Sequence, residues 1–336
     1  GETSRAANWS IYGYNRNTNP ELTKIKGLTA FSHVLTESNT THKSVPMLMS
    51  SVTAHDFNSI YRQKGIITAF KEAGYRTAFF SNQRYNHSFI DFFGKEADIC
   101  DFIKEDTGDG GYNPSDDELL KLVAAELAEN VSKQFIVLHT YGSHFNYRER
   151  YPADNAFFLP DFPVDAELKY KDNLINAYDN SIRYTDNFLA RLIRMLQEQD
   201  IDAAMLYTSD HGEDIFDDDR HLFLHASPVP SYYQIHVPFL IWMSDNYRKN
   251  YPDLFKNAEI NRQKNISSSA SFFQTMLELG GIDTPSRNDS LSVINASYTE
   301  KNRVYLNDHN EARSLNDIGM REEDFTMLQT KGIVYR

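Results

Sequence analysis

The chain predicts an α/β fold in which helices cover both faces of a mainly parallel sheet, and three observations carry that prediction. Short apolar runs alternate with amphipathic stretches of helical period, the order that a parallel sheet and its crossover helices impose. The helical stretches precede most of the runs, as βαβ connections require. With 336 residues, 40% hydrophobic and 13% aromatic, the chain can also bury a substantial core.

Four runs read as buried strands: TAFF at 77–80, FIVL at 135–138, AMLY at 204–207 and FLIW at 239–242. The stretch 66–73 reads as a helix closed by Gly74, a residue free to take the left-handed cap conformation. Residues 116–129 form a helix leading into FIVL. Residues 173–199 form a longer one leading into AMLY, with Ile175, Tyr178, Ile182, Leu189, Ile193 and Leu196 largely on one stripe. Residues 107–115 (TGDGGYNPS) read as a Gly-rich loop, and 147–163, mixing prolines with aromatics, as a surface excursion. Towards the end, 267–279 reads as a helix, and 303–306 and 332–335 as short strands. With no linker-like stretch and no internal repeat, residues 1–336 read as one domain with a smaller C-terminal subregion.

Composition narrows the function. Lys and Arg number 34 against 47 Asp and Glu, a net charge of −13, which argues against nucleic acid as a partner. Cys100 is the only cysteine, so any metal must be held by His and carboxylates. No apolar run reaches the roughly 18 residues of a membrane span. The sequence nevertheless opens on motif-like residues, GETSRAANWSIYGYNRNTNPEL, as a piece of a membrane protein would.

The sharpest chemical signal is Ser209-Asp210-His211-Gly212-Glu213, directly after AMLY. Open α/β sheets bind ligands at the carboxyl ends of their strands, and Asp oxygen and His nitrogen both suit Zn²⁺ or Mn²⁺. The pattern repeats after FIVL, where HTYGSH places His144 in the next strand-to-helix loop. His221 and His225 follow in HLFLHASP, and His236 precedes FLIW. For a nucleophile, the hydroxyl-rich stretch 36–46 (TESNTTHKSVP) offers several candidates. One at a helix N-terminus would sit where backbone N–H groups favour phosphate.

Taken together, GETSRAANWSIYGYNRNTNP, TTHKSVP, HTYGSH, NAYDNSIRYTD, SDHGE, LFLHASP and QIHVPFLIW resemble the lipid A phosphoethanolamine transferases of the alkaline phosphatase and sulfatase superfamily, over residues 1 to about 245. The resemblance implies an alkaline-phosphatase-like α/β/α sandwich. It also implies a zinc site of Glu2, Thr41, Asp210 and His211, with Thr41 as nucleophile and manganese the weaker fit. His144 and His225 correspond to histidines that bind the transferred phosphate or a second zinc. Glu213 corresponds to an acid near the ethanolamine amine. Asn82, Gln83 and His87 occupy the substrate-pocket positions after the second strand, and Lys43 is an anion contact.

The implied reaction is ping-pong transfer of phosphoethanolamine from phosphatidylethanolamine, through Thr41, to lipid A or another cell-envelope glycan. The resemblance places the domain on the periplasmic side of the inner membrane, held by an N-terminal anchor. Two departures stand out. Met47 occupies the place of a Cys common after SVP, and the apolar strand that precedes GET in relatives is absent from the sequence, which implies a displaced Glu2 or weak zinc binding. A sulfatase would need C/S-x-P-x-R, which does not occur here. A phosphoglycerol transferase or phosphodiesterase would use the same Thr and metal, and a catalytically dead phosphoglycan-binding module is the rival from another class.

Overall fold

The structure, a computed structural model, describes residues 1–104, 113–163 and 165–335. Most of the Gly-rich loop expected at 107–115 lies outside the described residues. All four apolar runs form strands. Arg76–Ser81 (β2) pairs in parallel with Ile99–Phe102 (β3) on one side and Gln134–His139 (β4) on the other. Ala204–Thr208 (β5) and Leu28–Ala30 (β1) flank Phe239–Met243 (β6), which runs antiparallel to both. FLIW thus departs from the parallel arrangement. Because it is reversed, its start lies level with the end of β5, with Phe239 opposite Thr208. That register is why residues before FLIW and residues after AMLY meet at one edge.

Alternation along the strands builds the layers. Ala78, Phe80, Met205, Tyr207, Leu240 and Trp242 point to one face. They pack there with Asp117–Ala128 (α3) and Lys171–Glu198 (α4), whose stripe buries Tyr178, Ile182, Leu189 and Ile193. Phe79 and Phe135 point to the other, against Thr41–Met49 (α1), Ile66–Glu72 (α2) and Ser268–Leu279 (α5). Phe239, Ile241 and Met243 share that second face with Ile266 and Leu279. α2 ends as its glycine requires. Gly74 has φ +81, and the bonds Gly74 N–H to Lys71 O (3.0 Å) and Tyr75 N–H to Phe70 O (3.1 Å) close the helix.

Among the described residues β4 and β5 each pair with one strand only, and their facing edges border an apolar cavity of about 1330 Å³. Gly1 sits among its lining residues. Its amino group donates to Thr208 O at 2.7 Å and its carbonyl accepts from Asp210 N–H at 3.3 Å, the two bonds of a parallel ladder with β5.

Two sequence expectations fail. Residues 332–335 are not a strand; Val304–Leu306 pairs antiparallel with Ala312–Ser314 instead. Nor is 147–163 wholly superficial, since Tyr147 is buried edge-on against Tyr178 at 5.0 Å. Among the described residues no helix is long and apolar enough to cross a membrane.

Candidate active site

Four separate stretches of chain converge where β4 and β5 end. The N-terminal segment brings Glu2, the first turn of α1 brings Thr41, the loop after β4 brings His144, and the loop after β5 brings Asp210, His211 and Glu213. His225 arrives from just beyond the small hairpin of Asp214–Ile215 and Phe223–Leu224. Thr41 opens α1 because Thr40 before it is extended, with φ −134 and ψ 133, while Thr40 O accepts the first helical bonds.

The Thr41 hydroxyl donates to Glu2 Oε1 at 2.9 Å and lies 3.0 Å from His211 Nε2. His211 Nδ1 lies 2.9 Å from Gly212 O, so that nitrogen carries the proton and Nε2 presents its lone pair. That lone pair faces Asp210 Oδ2 at 3.2 Å and Glu2 Oε1 at 3.7 Å. Three electron-rich atoms therefore converge in a buried place, which is unfavourable without a cation between them. Asp210 Oδ2 has no hydrogen-bond partner, and ligand atoms of Glu2, Asp210 and His211 all lie within 4.8 Å of one another. With the Thr41 oxygen they make an O,O,O,N set, and the donor chemistry fits zinc. Glu2 is in place rather than displaced. Gln83 Nε2 donates to its Oε2 at 2.9 Å, and Glu2 O accepts from Ser143 N–H at 3.0 Å.

The electrostatics agree with a cation site. Burial, then the Asp210 charge, pushes the Glu2 carboxyl up to about 7. For Asp210 burial works in the same direction, but His211, the Thr3 N–H and the amino terminus outweigh it and hold the group below its ordinary range. Burial lowers His211, keeping it neutral and able to ligate. Beside this group, the His225 ring lies 4.2 Å from that of His211 and 6.3 Å from that of His144. His225 Nδ1 stands 3.5 Å from Glu213 Oε2 with no hydrogen bond made by either atom. Burial opposes charge on His225, yet the Glu213 carboxylate raises it above its usual value, while burial raises Glu213.

Not every expected residue joins this group. Asn82 Nδ2 donates to Pro114 O at 3.0 Å and to Asp116 Oδ1 at 2.8 Å, so its amide serves the start of α3. Lys43 Nζ donates to Asn307 O at 2.7 Å, and burial lowers its ammonium. His87 is exposed and edge-on to Tyr85. His236 is buried between Tyr232 Oη and Ser32 O.

The sequence reading missed Asp116, whose carboxylate accepts from Tyr141 N–H at 2.8 Å and Gly142 N–H at 2.9 Å, fixing the loop that carries His144. An acid following the Asn-Pro-Ser loop at the start of a helix was the available signal. It also missed Tyr147, beside Glu213; the tyrosine's position next to Phe145 and His144 in sequence gave no hint that it turns inward.

Comparisons place this geometry among known proteins. The Kdo(2)-lipid A phosphoethanolamine 7''-transferase of Escherichia coli K12 is 31% identical over 271 residues, covering 79% of this chain and 47% of that protein. The C-terminal periplasmic domain of EcEptC from Escherichia coli, in a crystal structure with Zn, superposes with a TM-score of 0.85 at 23% identity, over 95% of this chain and 91% of that one. The integral membrane protein lipooligosaccharide phosphoethanolamine transferase A of Neisseria meningitidis gives 0.78 at 26%, over 87% and 56%. The chain spans about half the length of the curated relatives it matches. The family model described as Sulfatase matches residues 1–282, and the chain belongs to that family.

Proposed function

We propose that residues 1–336 are the single catalytic domain of a phosphoethanolamine transferase that draws its group from phosphatidylethanolamine and passes it, through Thr41, to lipid A or a related cell-envelope glycan. The observation that carries this reading is the Thr41 hydroxyl at the head of α1, 2.9 Å from Glu2 and 3.0 Å from His211. Relatives named as phosphoethanolamine transferases support the choice of group.

Glu2, Asp210 and His211, with Thr41, would hold zinc, which when bound acts as a Lewis acid that makes the threonine oxygen nucleophilic and offsets charge on phosphorus. Ligation keeps Glu2 ionised, so the Thr41 proton passes to solvent as the ligand set fills, and the first turn of α1 directs backbone N–H groups towards the phosphoryl oxygens. In the first half-reaction the Thr41 O–P bond forms and the bond from phosphorus to the diacylglycerol oxygen breaks. The leaving oxygen needs a proton, and His225, whose charged form its Glu213 partner favours, is placed to give it. In the second half an acceptor oxygen attacks the same phosphorus, Thr41 leaves, and His225 or His144 takes the acceptor's proton. Glu213 would also meet the ethanolamine ammonium. A membrane anchor, in keeping with the Neisseria relative's being an integral membrane protein, and a periplasm-facing position, in keeping with the periplasmic domain of EcEptC, belong to this reading.

A transfer assay tests it. With zinc and a fluorescent phosphatidylethanolamine, the parent should release diacylglycerol. Thr41→Ala should lose at least about 10³-fold in rate. Sulfate-ester turnover that survives Thr41→Ala would contradict the assignment.

A further inference from the structure

Glu2 lies in a stretch of backbone under constraint, and one of the groups that constrain it comes from α4, outside the strand-end loops. On one side Gly1 is fixed to β5 by its two ladder bonds. On the other, Thr3 has φ +57, a left-handed conformation that a β-branched residue keeps only when its surroundings impose it. Thr3 N–H donates to Asp210 Oδ1 at 3.1 Å, and its hydroxyl donates to Glu2 Oε1 at 3.1 Å. Its carbonyl accepts from the Tyr178 hydroxyl at 2.8 Å, and the same phenol oxygen accepts from Arg5 N–H at 2.9 Å.

Tyr178 itself has little freedom. It is fully buried in the middle of α4, edge-on to Tyr147, with the Arg5 guanidinium 5.5 Å from its ring centre. One oxygen thus bridges the C=O of Thr3 and the N–H of Arg5, holding the turn that follows Glu2.

We propose that Tyr178 is a positioning residue for Glu2: its hydroxyl pins Thr3 in the left-handed conformation that aims the Glu2 carboxylate at Thr41, Asp210 and His211. Without that oxygen Thr3 relaxes towards negative φ, the peptide between Glu2 and Thr3 rotates, and the carboxylate leaves the cluster. The zinc arm of the test rests on the reading of Glu2, Asp210 and His211 as a metal site; the backbone arm does not.

Tyr178→Phe in the full chain removes one atom and keeps the ring. Zinc affinity, read by competition with a chromophoric chelator, should weaken by about tenfold or more. In the metal-free chain, amide exchange at Thr3 and Arg5 should accelerate. Tyr247→Phe is the control, since it also removes a buried hydroxyl bonded to a backbone carbonyl, Leu279 O at 2.8 Å, and should leave both readings unchanged.

Parent-like zinc binding in Tyr178→Phe overturns the proposal. So does unchanged exchange at Thr3 and Arg5, even in a chain that binds no zinc. A parent that binds no zinc, with accelerated exchange in the variant, removes the metal reading and leaves the positioning role standing. If Tyr178→Phe does not fold, the Thr3→Gly/Tyr178→Phe double variant decides, because glycine takes the left-handed conformation without strain. The double variant should fold and regain zinc affinity; failure to fold would assign Tyr178 to core packing alone.

Discussion

Asp210 has two carboxylate oxygens with different tasks. Oδ1 accepts from Thr3 N–H and His211 N–H, while Oδ2 faces His211 Nε2 with no hydrogen-bond partner. Asp210→Asn keeps the shape and removes the charge, so zinc affinity and transfer should fall by about 100-fold or more, with melting temperature near the parent's. Rates within a few-fold of the parent would count against the metal assignment. Glu2 sets the pH dependence. Its carboxyl is raised to about 7, so in the metal-free fold its ionisation costs stability as pH rises from the ordinary carboxylate range towards 7. Zinc needs the ionised form, and its affinity should therefore weaken by about fivefold between pH 7 and pH 6. A flat titration over that interval would show that Glu2 is not a ligand. At this scale Asp210, His211, His144 and His225 were legible, because residues released after apolar runs announce themselves. Glu2 and Thr41 were legible only through resemblance, and Asp116 and Tyr178 not at all, since their work is done on backbone groups that no side-chain pattern reveals.

Loops joining the elements set the geometry within which those residues act. Gly142 has φ +54 and sits against Glu2; a Cβ there would lie 2.7 Å from Glu2 O and 2.8 Å from Glu2 N. Gly142→Ala should therefore destabilise the domain by about 1–3 kcal/mol and weaken zinc binding in the same variant, measured by thermal unfolding and chelator competition. Loss of stability with intact zinc affinity would mean the loop and Glu2 are not coupled. The elements themselves were largely readable from apolar runs and helical period. Strand direction was not. FLIW is apolar at every position because both its faces are buried, a pattern that fits a parallel strand equally well. Residues 332–335 read as a strand from their apolar residues, but Ile333 and Tyr335 pack into the C-terminal cluster without joining a ladder, while Val334 is exposed.

Across the whole molecule, the two three-stranded sheets stand apart, with the cavity between β4 and β5 and Gly1 bonded to the end of β5. An apolar strand joined to Gly1 should extend the ladder that Gly1 begins with β5 and cover the open edge of β4. That burial should raise Tm by about 5 °C or more; an unchanged Tm would mean the edges do not take a strand. The net charge of −13 acts at this scale too, since an acidic surface is repelled by anionic lipid.

The central claim is that Thr41 carries the transferred group. Intact-mass and peptide mass spectrometry of the zinc-loaded chain, after incubation with a phosphatidylethanolamine analogue and no acceptor, tests it most directly. The account predicts one added phosphoethanolamine mass on the peptide containing Thr41, absent in Thr41→Ala and cleared when acceptor is supplied. Diacylglycerol release with no adduct on that peptide, or an adduct retained in Thr41→Ala, would contradict it.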